Sequence, residues 1–477
     1  MAEPQQPRIL LFPFPAPGHI KPFLILAELL SDAGLDVVFL TTEFHHRLIS
    51  NLETLITRFP KLHFATMADD LPPENPRDTM DSQYFISLLL GTKPRFQQFL
   101  HSFNEANNSQ QITCIISDVI ISAPFEVAEE FGIPVVSFCT YSARYLSMNF
   151  FIEKLIEEGQ IPYHDDNPLG EITGVASFEE GILRRKHLPG FWNVKYCDQS
   201  SQMMVINQTV SFRRSSGLIL NTFNELEAQH LRYLSSIFKK VYPIGPIHAL
   251  SNSKLGDFSF SSSSSIGKKE DETCIPWLDS QASKSVIYVS FGTLAKMKSE
   301  ELIEFWHGLV NSEKPFLCVL RKDVVNEGEE AGKLIKQLVG EGGEKVKGIT
   351  VEWAPQEKVL KHPSVGGFLT HCGWNSMMES IEAGVPMIGW PVLGDQPSNA
   401  TWIEQVWKIG FEIKEKWDRL TVEKMVRALM EDPKKENEIQ KCVEKFSKFA
   451  NESVSKSGLS FKNFESLIEE LKKLSTK

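Results

Sequence analysis

The sequence predicts an α/β protein made of two domains, each with a parallel sheet. Short apolar runs alternate with helical patterns: RILLFPF at 8–14 precedes a helix-like stretch that ends at Gly34, and VVFLT at 37–41 follows it. This β-α-β order predicts a doubly wound sheet. The chain has 477 residues, too many for one ordinary core, so two domains of about 200 residues or more are expected.

Similar units continue through the first half of the chain. CIISD at 114–118 and PVVSF at 134–138 flank a helix-like stretch, and GLILN at 217–221 reads as a further strand. Between residues 142 and 215 the pattern loosens into aromatic and Met-rich stretches, which predict an apolar wall for a ligand. The candidate wall residues are Phe14, Tyr145, Met148, Phe150, Phe191, Trp192 and Met203. Because aromatic and Met stripes more often pack into a core, that alternative stays open.

A serine-rich segment separates the two halves. Residues 251–270, SNSKLGDFSFSSSSSIGKKE, have the low-complexity composition of a flexible linker. Beyond it, VIYVSFG at 286–292 and FLCVL at 316–320 restart the alternation of strands and helices. The predicted organisation is a first domain at 1–245, a linker at 246–275, a second domain at 276–455 and a C-terminal helix at 456–477 that packs back on the first domain.

Composition and charge argue against several classes of protein. Hydrophobic residues make up 42% of the chain and charged residues 23%, as in ordinary globular proteins. A formal net charge of −11 argues against nucleic-acid and anionic-membrane partners, so a phosphorylated ligand would depend on helix starts and local cations. No signal peptide and no membrane-spanning run is evident, and the seven cysteines form no CxxC pair. These features predict a soluble cytoplasmic protein.

The most informative segment runs from Trp353 to Gln396, WAPQEKVLKHPSVGGFLTHCGWNSMMESIEAGVPMIGWPVLGDQ. It reads as three successive strand-loop-helix units. Trp353 follows the strand-like GITVE and precedes a proline-restricted loop, so its indole can stack on a nucleobase. A core or rim position is an equally good interpretation of a lone tryptophan.

A turn from a strand into a helix follows in the same segment. His371 to Ser376 joins the strand-like GGFLT to a helix, where Asn375 or Ser376 can cap the helix and its N–H groups can bind phosphate. His371 adds a further donor. We therefore expect a diphosphate at this turn.

Acidic and amide side chains complete the segment. Ser376-x-x-Glu379 fits a capping box, whereas Glu379 can instead accept hydrogen bonds from ribose hydroxyls; the spacing alone favours the cap. Asp395 and Gln396 follow the strand-like MIGWPV, at the sheet edge where doubly wound folds bind ligands. Together they offer acceptors and donors to the hydroxyls of a hexose.

This segment resembles the signature box of the plant family-1 UDP-sugar glycosyltransferases. It begins with the family's WAPQ, contains its HCGWNS and ends with its DQ. The resemblance extends to SFGT at 290–293 and to Gly18-His19, and covers nearly the full chain. It implies the GT-B fold, in which two Rossmann-like domains face each other across a cleft.

The resemblance also implies roles for the donor-site residues. Trp353 would stack on uracil, Ala354 and Gln356 would serve base and ribose, and Glu379 would hold ribose hydroxyls, against the preference from spacing alone. The other donor residues are Thr293, His371, Asn375 and Ser376 for the diphosphate, and Trp374, Asp395 and Gln396 for the sugar. A terminal glutamine usually accompanies glucose, so UDP-glucose is the expected co-substrate, with UDP-xylose and UDP-galactose as alternatives.

His19 and Asp118 are the candidate catalytic pair. Transfer to a hydroxyl needs a base, and a histidine of pKa about 6.5 suits that task near neutral pH. His19 lies in the loop after the first strand and matches the family's catalytic histidine, and Asp118 ends CIISD and can orient its ring. Considered alone, such a histidine is more often structural, and such an aspartate equally often caps a turn. Pro17 departs from the family's usual loop, removes a backbone donor and stiffens the approach to His19.

The resemblance implies a direct, inverting transfer that gives a β-glucoside and requires no metal or other cofactor. The expected acceptor is a small apolar plant metabolite with a hydroxyl or carboxyl group, and the protein is expected to be a monomer. GLILNTFNELE is similar to plant glucosyltransferases of iridoids and other terpenoids, so a terpenoid is the first expectation and a flavonoid or other phenolic the second.

Two other classes fit the sequence less well. A dinucleotide-dependent oxidoreductase is disfavoured because no GxGxxG follows the first strand. A non-catalytic UDP-sugar-binding protein remains the alternative class, and the intact His19 and Asp118 argue against it.

Overall fold

The computed structural model describes most of the chain. It covers residues 7–474 except 51, 73–74, 76, 78–81, 108–110, 164–166, 168, 176–179, 189–205, 207, 257–269, 294, 323, 325–332, 334–336, 338–345, 415–417 and 432, with the backbone alone at 82–83, 85–86 and 433–437. The chain divides into two compact units. The first unit comprises Met1–Gly267 and Glu452–Lys477, and the second comprises Lys268–Asn451.

The first unit is built around a seven-stranded parallel sheet. Its strands are β1 (Arg8–Phe12), β2 (Asp36–Thr42), β3 (Leu62–Met67), β4 (Cys114–Asp118), β5 (Val135–Cys139), β6 (Leu218–Leu220) and β7 (Val241–Pro243). Strands β1, β2, β4 and β5 are mainly apolar and are buried along their whole length, as expected when helices cover both faces. The sheet order is β3-β2-β1-β4-β5-β6-β7, so β1 and β4 flank the point where the winding reverses.

Helices cover both faces of this sheet. They are α1 (Pro17–Asp32), α2 (Glu43–Leu48), α3 (Leu52–Arg58), α4 (Ser82–Ala106), α5 (Ala123–Glu130), α6 (Ala143–Met148), α7 (Ile152–Glu157), α8 (Asn224–Ile237) and α9 (Ile247–Leu255). Alternate residues of β1 point to opposite faces: Ile9 and Leu11 join one core with α1, whereas Leu10 and Phe12 join a second core with α4.

The second unit contains a six-stranded parallel sheet in the order β10-β9-β8-β11-β12-β13. Its strands are β8 (Val286–Ser290), β9 (Phe316–Val319), β10 (Gly348–Val351), β11 (Val365–Thr370), β12 (Met387–Gly389) and β13 (Gly410–Glu412). Its helices are α10 (Cys274–Asp279), α11 (Ser299–Asn311), α12 (Gln356–Leu360), α13 (Trp374–Ala383), α14 (Gln396–Gln405), α15 (Arg419–Met430) and α16 (Pro433–Val454), the last of which ends in the first unit. The winding reverses between β8 and β11.

Two segments outside the predicted first domain pack into the first unit. Helix α9 lies in the segment predicted as a linker, and its Leu250 is buried in the same core as α1, while the serine-rich residues 257–269 lie outside the described residues. The C-terminal helix α17 (Leu459–Leu474) buries Phe464 and Leu467 in that core. The hydroxyl of Ser460 donates to the carbonyl oxygen of Gly245 at 2.7 Å, which ties the start of this helix to the loop after β7.

Candidate functional site

The first unit carries its candidate site beside β1 and β4. Doubly wound sheets bind ligands at the carboxyl ends of the strands where the winding reverses. His19 lies in the first turn of α1, directly after β1, and Asp118 is the last residue of β4. The sheet order therefore brings together two residues that are far apart in the sequence.

Asp118 holds the imidazole ring of His19. Nδ1 of His19 lies 2.8 Å from Oδ2 of Asp118. The same carboxylate accepts from the backbone N–H of Phe14 at 3.3 Å and of Ile120 at 3.1 Å. The Asp118 side chain is fully buried, whereas that of His19 is 19% exposed. Because an ionised carboxylate can only accept, we assign the ring proton to Nδ1, which leaves Nε2 as an acceptor.

Pro17 does not disturb this geometry. Helix α1 has Ala16 as its N-cap, so Pro17 occupies its first position. The N–H at that position has no intrahelical partner, and the fixed φ of proline suits a helix start. His19 thus lies in a helix and not in the loop predicted from the sequence, and Pro17 leaves it within hydrogen-bonding distance of Asp118.

In the second unit, two loops meet around the ring of His371, where β8 and β11 end side by side. The loop after β8 contains Gly292, whose φ is +70°, and a Cβ there would lie 2.5 Å from Nε2 of His371. A Cβ at Gly373, just before α13, would lie 2.4 Å from the same nitrogen. The ring is therefore packed against both glycines, and neither position has room for a side chain.

The surroundings of His371 favour its neutral form. Burial lowers the pKa of this ring to about 4; a hydrogen bond with the backbone of Ser290 opposes that shift, and the positive charge of Arg321 adds to it. The ring is therefore uncharged at neutral pH.

Helix α13 begins differently from the prediction. Its N-cap is Gly373, without a side-chain cap, and Trp374, Asn375 and Ser376 form its first turn. Asn375 and Ser376 therefore do not cap the helix. A capping box requires the serine at the N-cap, so Ser376 and Glu379 do not form one, and the interpretation of Glu379 from spacing alone was wrong.

Glu379 belongs instead to a network centred on Gln356. Nε2 of Gln356 donates to Oε2 of Glu379 at 2.6 Å and to Oγ of Ser376 at 3.0 Å. Oε1 of Gln356 accepts from the hydroxyl of Tyr288 at 3.2 Å. These residues come from β8, α12 and α13. The predicted donor residues Gln356, Ser376 and Glu379 are thus in direct contact.

Comparison with known proteins identifies the chain. A family model described as UDP-glucoronosyl and UDP-glucosyl transferase matches residues 221–443. Mogroside I-A1 synthase from Siraitia grosvenorii is 63% identical over 452 residues, which cover 94% of this chain and 86% of that protein. The chain belongs to the UDP-glycosyltransferase family. It is therefore an enzyme, a glycosyltransferase, as the resemblance implied.

Two further comparisons support the family and the fold. The 7-deoxyloganetic acid glucosyltransferase of Catharanthus roseus is 39% identical over 480 residues, 98% of either chain. A crystal structure of UDP-glucose: anthocyanidin 3-O-glucosyltransferase in complex with UDP has a TM-score of 0.81, at 24% identity, and covers 98% of this chain and 100% of that chain. This likeness and the two parallel sheets confirm the predicted α/β, GT-B fold class.

Other predicted donor residues of this UDP-glycosyltransferase differ in exposure. Trp353 is half-buried after β10, and its carbonyl oxygen accepts from the backbone N–H of Asp271 at 2.9 Å. Ala354, next to it, is buried. The indole of Trp374 is buried against Trp407, with ring centroids 6.2 Å apart. The side chain of Trp374 is therefore part of the packing of α13.

Asp395 and Gln396 lie at the start of α14, and both side chains form hydrogen bonds with neighbouring groups of the protein. Oδ2 of Asp395 accepts from Nδ2 of Asn399 at 2.7 Å, and the same amide donates to the carbonyl oxygen of Cys372 at 3.0 Å. Oε1 of Gln396 accepts from two backbone N–H groups of the preceding loop, at 2.9 and 3.0 Å. The Oε1 atom of Gln396 is thus engaged by the protein backbone.

Two polar residues at the strand ends were missed by sequence reasoning. Thr140 follows β5, and its hydroxyl oxygen lies 2.9 Å from Nδ1 of His19. Arg321 follows β9, and its guanidinium donates to the carbonyl oxygens of Thr293 and Ala295. Each lies at the carboxyl edge of its sheet, a position that could have marked both as candidates.

Most described residues of the predicted acceptor wall belong to cores. Phe14 is buried and packs edge-on against His19, with ring centroids 5.3 Å apart. Met148 and Phe150 are buried in two different hydrophobic cores, so the core interpretation holds for both. Tyr145 is half-buried. The remaining candidates, Phe191, Trp192 and Met203, lie outside the described residues.

Metal ligands and membrane spans were sought over the same residues. In the described part of the chain, no group of three or more His, Cys, Asp or Glu side chains is placed to hold a metal ion. Nor does any helix there have both the length and the apolar character needed to cross a membrane.

Proposed function

We propose that this enzyme transfers glucose from UDP-glucose to a hydroxyl or carboxyl group of a small apolar plant metabolite and forms a β-glucoside. The observation that carries this proposal is the contact of 2.8 Å between Nδ1 of His19 and Oδ2 of Asp118. The family supplies the class of reaction, and this pair supplies a base with a fixed orientation.

His19 is the general base of the proposed reaction. With its Nδ1 proton held by Asp118, Nε2 takes the proton of the acceptor group as the acceptor oxygen attacks C1 of glucose. The bond between C1 and the diphosphate oxygen breaks, and UDP leaves with its electron pair. Attack opposite the leaving group inverts C1. The carboxylate of Asp118 stabilises the imidazolium that forms.

The donor site of the proposal lies in the second unit. Trp353 stacks on uracil and Glu379 accepts from the ribose hydroxyls, while Gln356 contacts Glu379 at 2.6 Å and orients it. The diphosphate is bound by Thr293, His371, Asn375 and Ser376, and the sugar by the backbone of Trp374 and by Asp395 and Gln396. Glucose as the sugar is supported by Gln396 and by the name of the 39% identical glucosyltransferase. UDP-xylose and UDP-galactose are the alternative donors.

A terpenoid is the proposed acceptor. The 39% identical relative is named for 7-deoxyloganetic acid, an iridoid, and the name of the 63% identical relative denotes a glycoside product. Phe14, Thr42, Met67 and Leu88 line a small, mainly apolar pocket in the first unit. A flavonoid or other phenolic is the alternative.

The test is a mass-spectrometric screen of plant aglycones with UDP-glucose, UDP-xylose or UDP-galactose. We expect single-hexose products from UDP-glucose and an apolar acceptor. His19→Ala should bind UDP like the wild type but transfer glucose to a hydroxyl at least about 100-fold more slowly. The control is His63→Ala, at a half-exposed histidine of the same unit, with unchanged activity expected.

The outcomes separate the alternatives. Full activity of His19→Ala would contradict the base assignment. A wild-type protein that bound UDP-glucose but glycosylated none of the apolar acceptors would contradict the proposed acceptor class.

A further inference from the structure

Arg321 is a buried cation at the carboxyl edge of the second sheet. It lies two residues beyond the end of β9 and is 4% exposed. Its Nη1 group donates to the carbonyl oxygen of Thr293, and its Nη2 group to that of Ala295. Both carbonyl groups belong to the loop after β8, so the guanidinium joins the ends of two neighbouring strands.

The loop held by Arg321 touches the turn that follows β11. Strands β9, β8 and β11 are neighbours in the sheet, so their carboxyl ends lie side by side. A Cβ at Gly292 would come within 2.5 Å of Nε2 of His371, which places the loop directly on this ring. Arg321, the loop and His371 therefore form a continuous line of contacts across the point where the winding reverses.

The charges at this place favour a role for Arg321 toward an anion. The protein has a net charge of −11, which opposes the approach of a diphosphate. Burial lowers the pKa of His371 to about 4, so that ring brings no positive charge at neutral pH. An arginine stays protonated, and its charge acts more strongly where water is excluded. The positive charge of Arg321 acts on the neighbouring ring of His371.

We propose that Arg321 is a positioning residue for the diphosphate of the donor. It fixes the loop after β8 through two carbonyl groups and supplies positive charge beside His371. The planar fork of the guanidinium reaches both carbonyl groups at once, which a lysine cannot do. This inference rests on the proposed binding of a UDP-sugar to the second unit.

The test compares UDP with uridine, which has the same base and ribose but no phosphate. Dissociation constants of both are measured by calorimetry for the wild type, Arg321→Gln and Arg321→Lys, at low and high salt. Glutamine keeps an N–H donor and loses the charge, whereas lysine keeps the charge and loses the fork. The matched control is Arg419→Gln, at a more exposed arginine of the same unit that pairs with Glu304.

We expect Arg321→Gln to weaken UDP binding about tenfold or more, to leave uridine binding within about twofold, and to reduce the salt dependence of UDP binding. Arg321→Lys should weaken UDP binding less, again with little effect on uridine, and Arg419→Gln should change neither. An equal loss for UDP and uridine would show that Arg321 only maintains the fold, and unchanged binding of both would also overturn the inference. If Arg321→Gln does not fold, the ratio of the UDP and uridine dissociation constants is compared between Arg321→Lys and the wild type.

The wild type separates this inference from the proposed function. A wild-type protein that binds UDP no better than uridine would contradict both the proposed function and the proposed role of Arg321. If the wild type binds UDP more tightly than uridine, and the folded variants show the same ratio of the two dissociation constants, only the proposed role of Arg321 is contradicted.

Discussion

Replacing Asp118 by asparagine is a direct test of the proposed chemistry, because it changes charge and acceptor capacity but hardly changes size. Oδ2 of the carboxylate accepts from His19 at 2.8 Å and from the N–H of Phe14 at 3.3 Å, and Oδ1 accepts from the N–H of Ile120 at 3.1 Å. Asparagine offers one oxygen and one NH2 group. Whichever way its amide is turned, at least one of these three donors then faces another donor.

The magnitudes follow from this count. A buried donor left without an acceptor costs about 1–3 kcal/mol, so the variant should unfold at a lower temperature. A hydrogen bond to a charged group contributes about 1.5–3 kcal/mol, which corresponds to a loss in kcat of about 10- to 150-fold. If the NH2 group turns toward His19, the ring adopts the opposite tautomer and Nε2 no longer accepts a proton. The loss would then approach the roughly 10⁴-fold effect of the same substitution in a serine-protease triad.

The assay combines kcat and KM for UDP-glucose with calorimetric binding of UDP and thermal unfolding. UDP affinity should stay unchanged, because Asp118 lies in the first unit and the proposed donor site in the second. The control is Asp36→Asn, which breaks a buried ion pair of 3.0 Å with Arg8 at the opposite end of the sheet. The Asp36→Asn variant should have a lower unfolding temperature and an unchanged kcat. A kcat of Asp118→Asn within threefold of the wild type would contradict the proposed role of this carboxylate.

Three further predictions concern the donor site and the response to pH. Tyr288→Phe removes the hydroxyl that lies 3.2 Å from Oε1 of Gln356. The loss of this one neutral hydrogen bond should weaken UDP binding, measured by calorimetry, by about fivefold. An unchanged affinity for UDP would contradict a role of Tyr288 in orienting the Gln356 amide. Gly292→Ala places a Cβ 2.5 Å from the ring of His371, at a residue whose φ is +70°. The variant should lose at least about 1–2 kcal/mol of stability and most of its affinity for UDP. An unchanged unfolding temperature would show that the loop accommodates the Cβ without strain. Burial lowers the pKa of His45 from 6.5 to about 4, so between these pH values the unfolded chain binds more protons than the folded chain. The free energy of unfolding should therefore fall as the pH drops through this window, by up to about 3 kcal/mol for this residue. His45→Gln should make the unfolding temperature less dependent on pH over the same range, and an unaltered dependence would contradict the assignment.

Local elements could be predicted because their causes are local. The apolar runs at 8–14 and 286–292 became β1 and β8, since strands covered on both faces need continuous apolar side chains. Helix α1 followed from the apolar pattern after Pro17. Boundaries were less accurate: His19 was assigned to a loop, although a proline at the first position allows the helix to begin before it.

The donor motif identified residues but not their partners. Ser376 and Glu379 have the spacing of a capping box, yet the N-cap of the helix is Gly373. Both side chains contact Gln356 instead. Trp374 belongs to the motif, but the packing of α13 buries its indole against Trp407. Sequence spacing cannot separate such outcomes, because burial depends on what the neighbouring elements place beside each side chain.

The sequence by itself determined the two α/β patterns, the family and the residue types at the strand ends. Only the tertiary structure decided which of these residues meet. His19 reaches Asp118 across 99 positions and Thr140 across 121, and Arg321 reaches the loop at Thr293 across 28. These contacts depend on the order of the strands within each sheet. That order arises from the packing of whole elements and has no counterpart in the local periodicity of the chain.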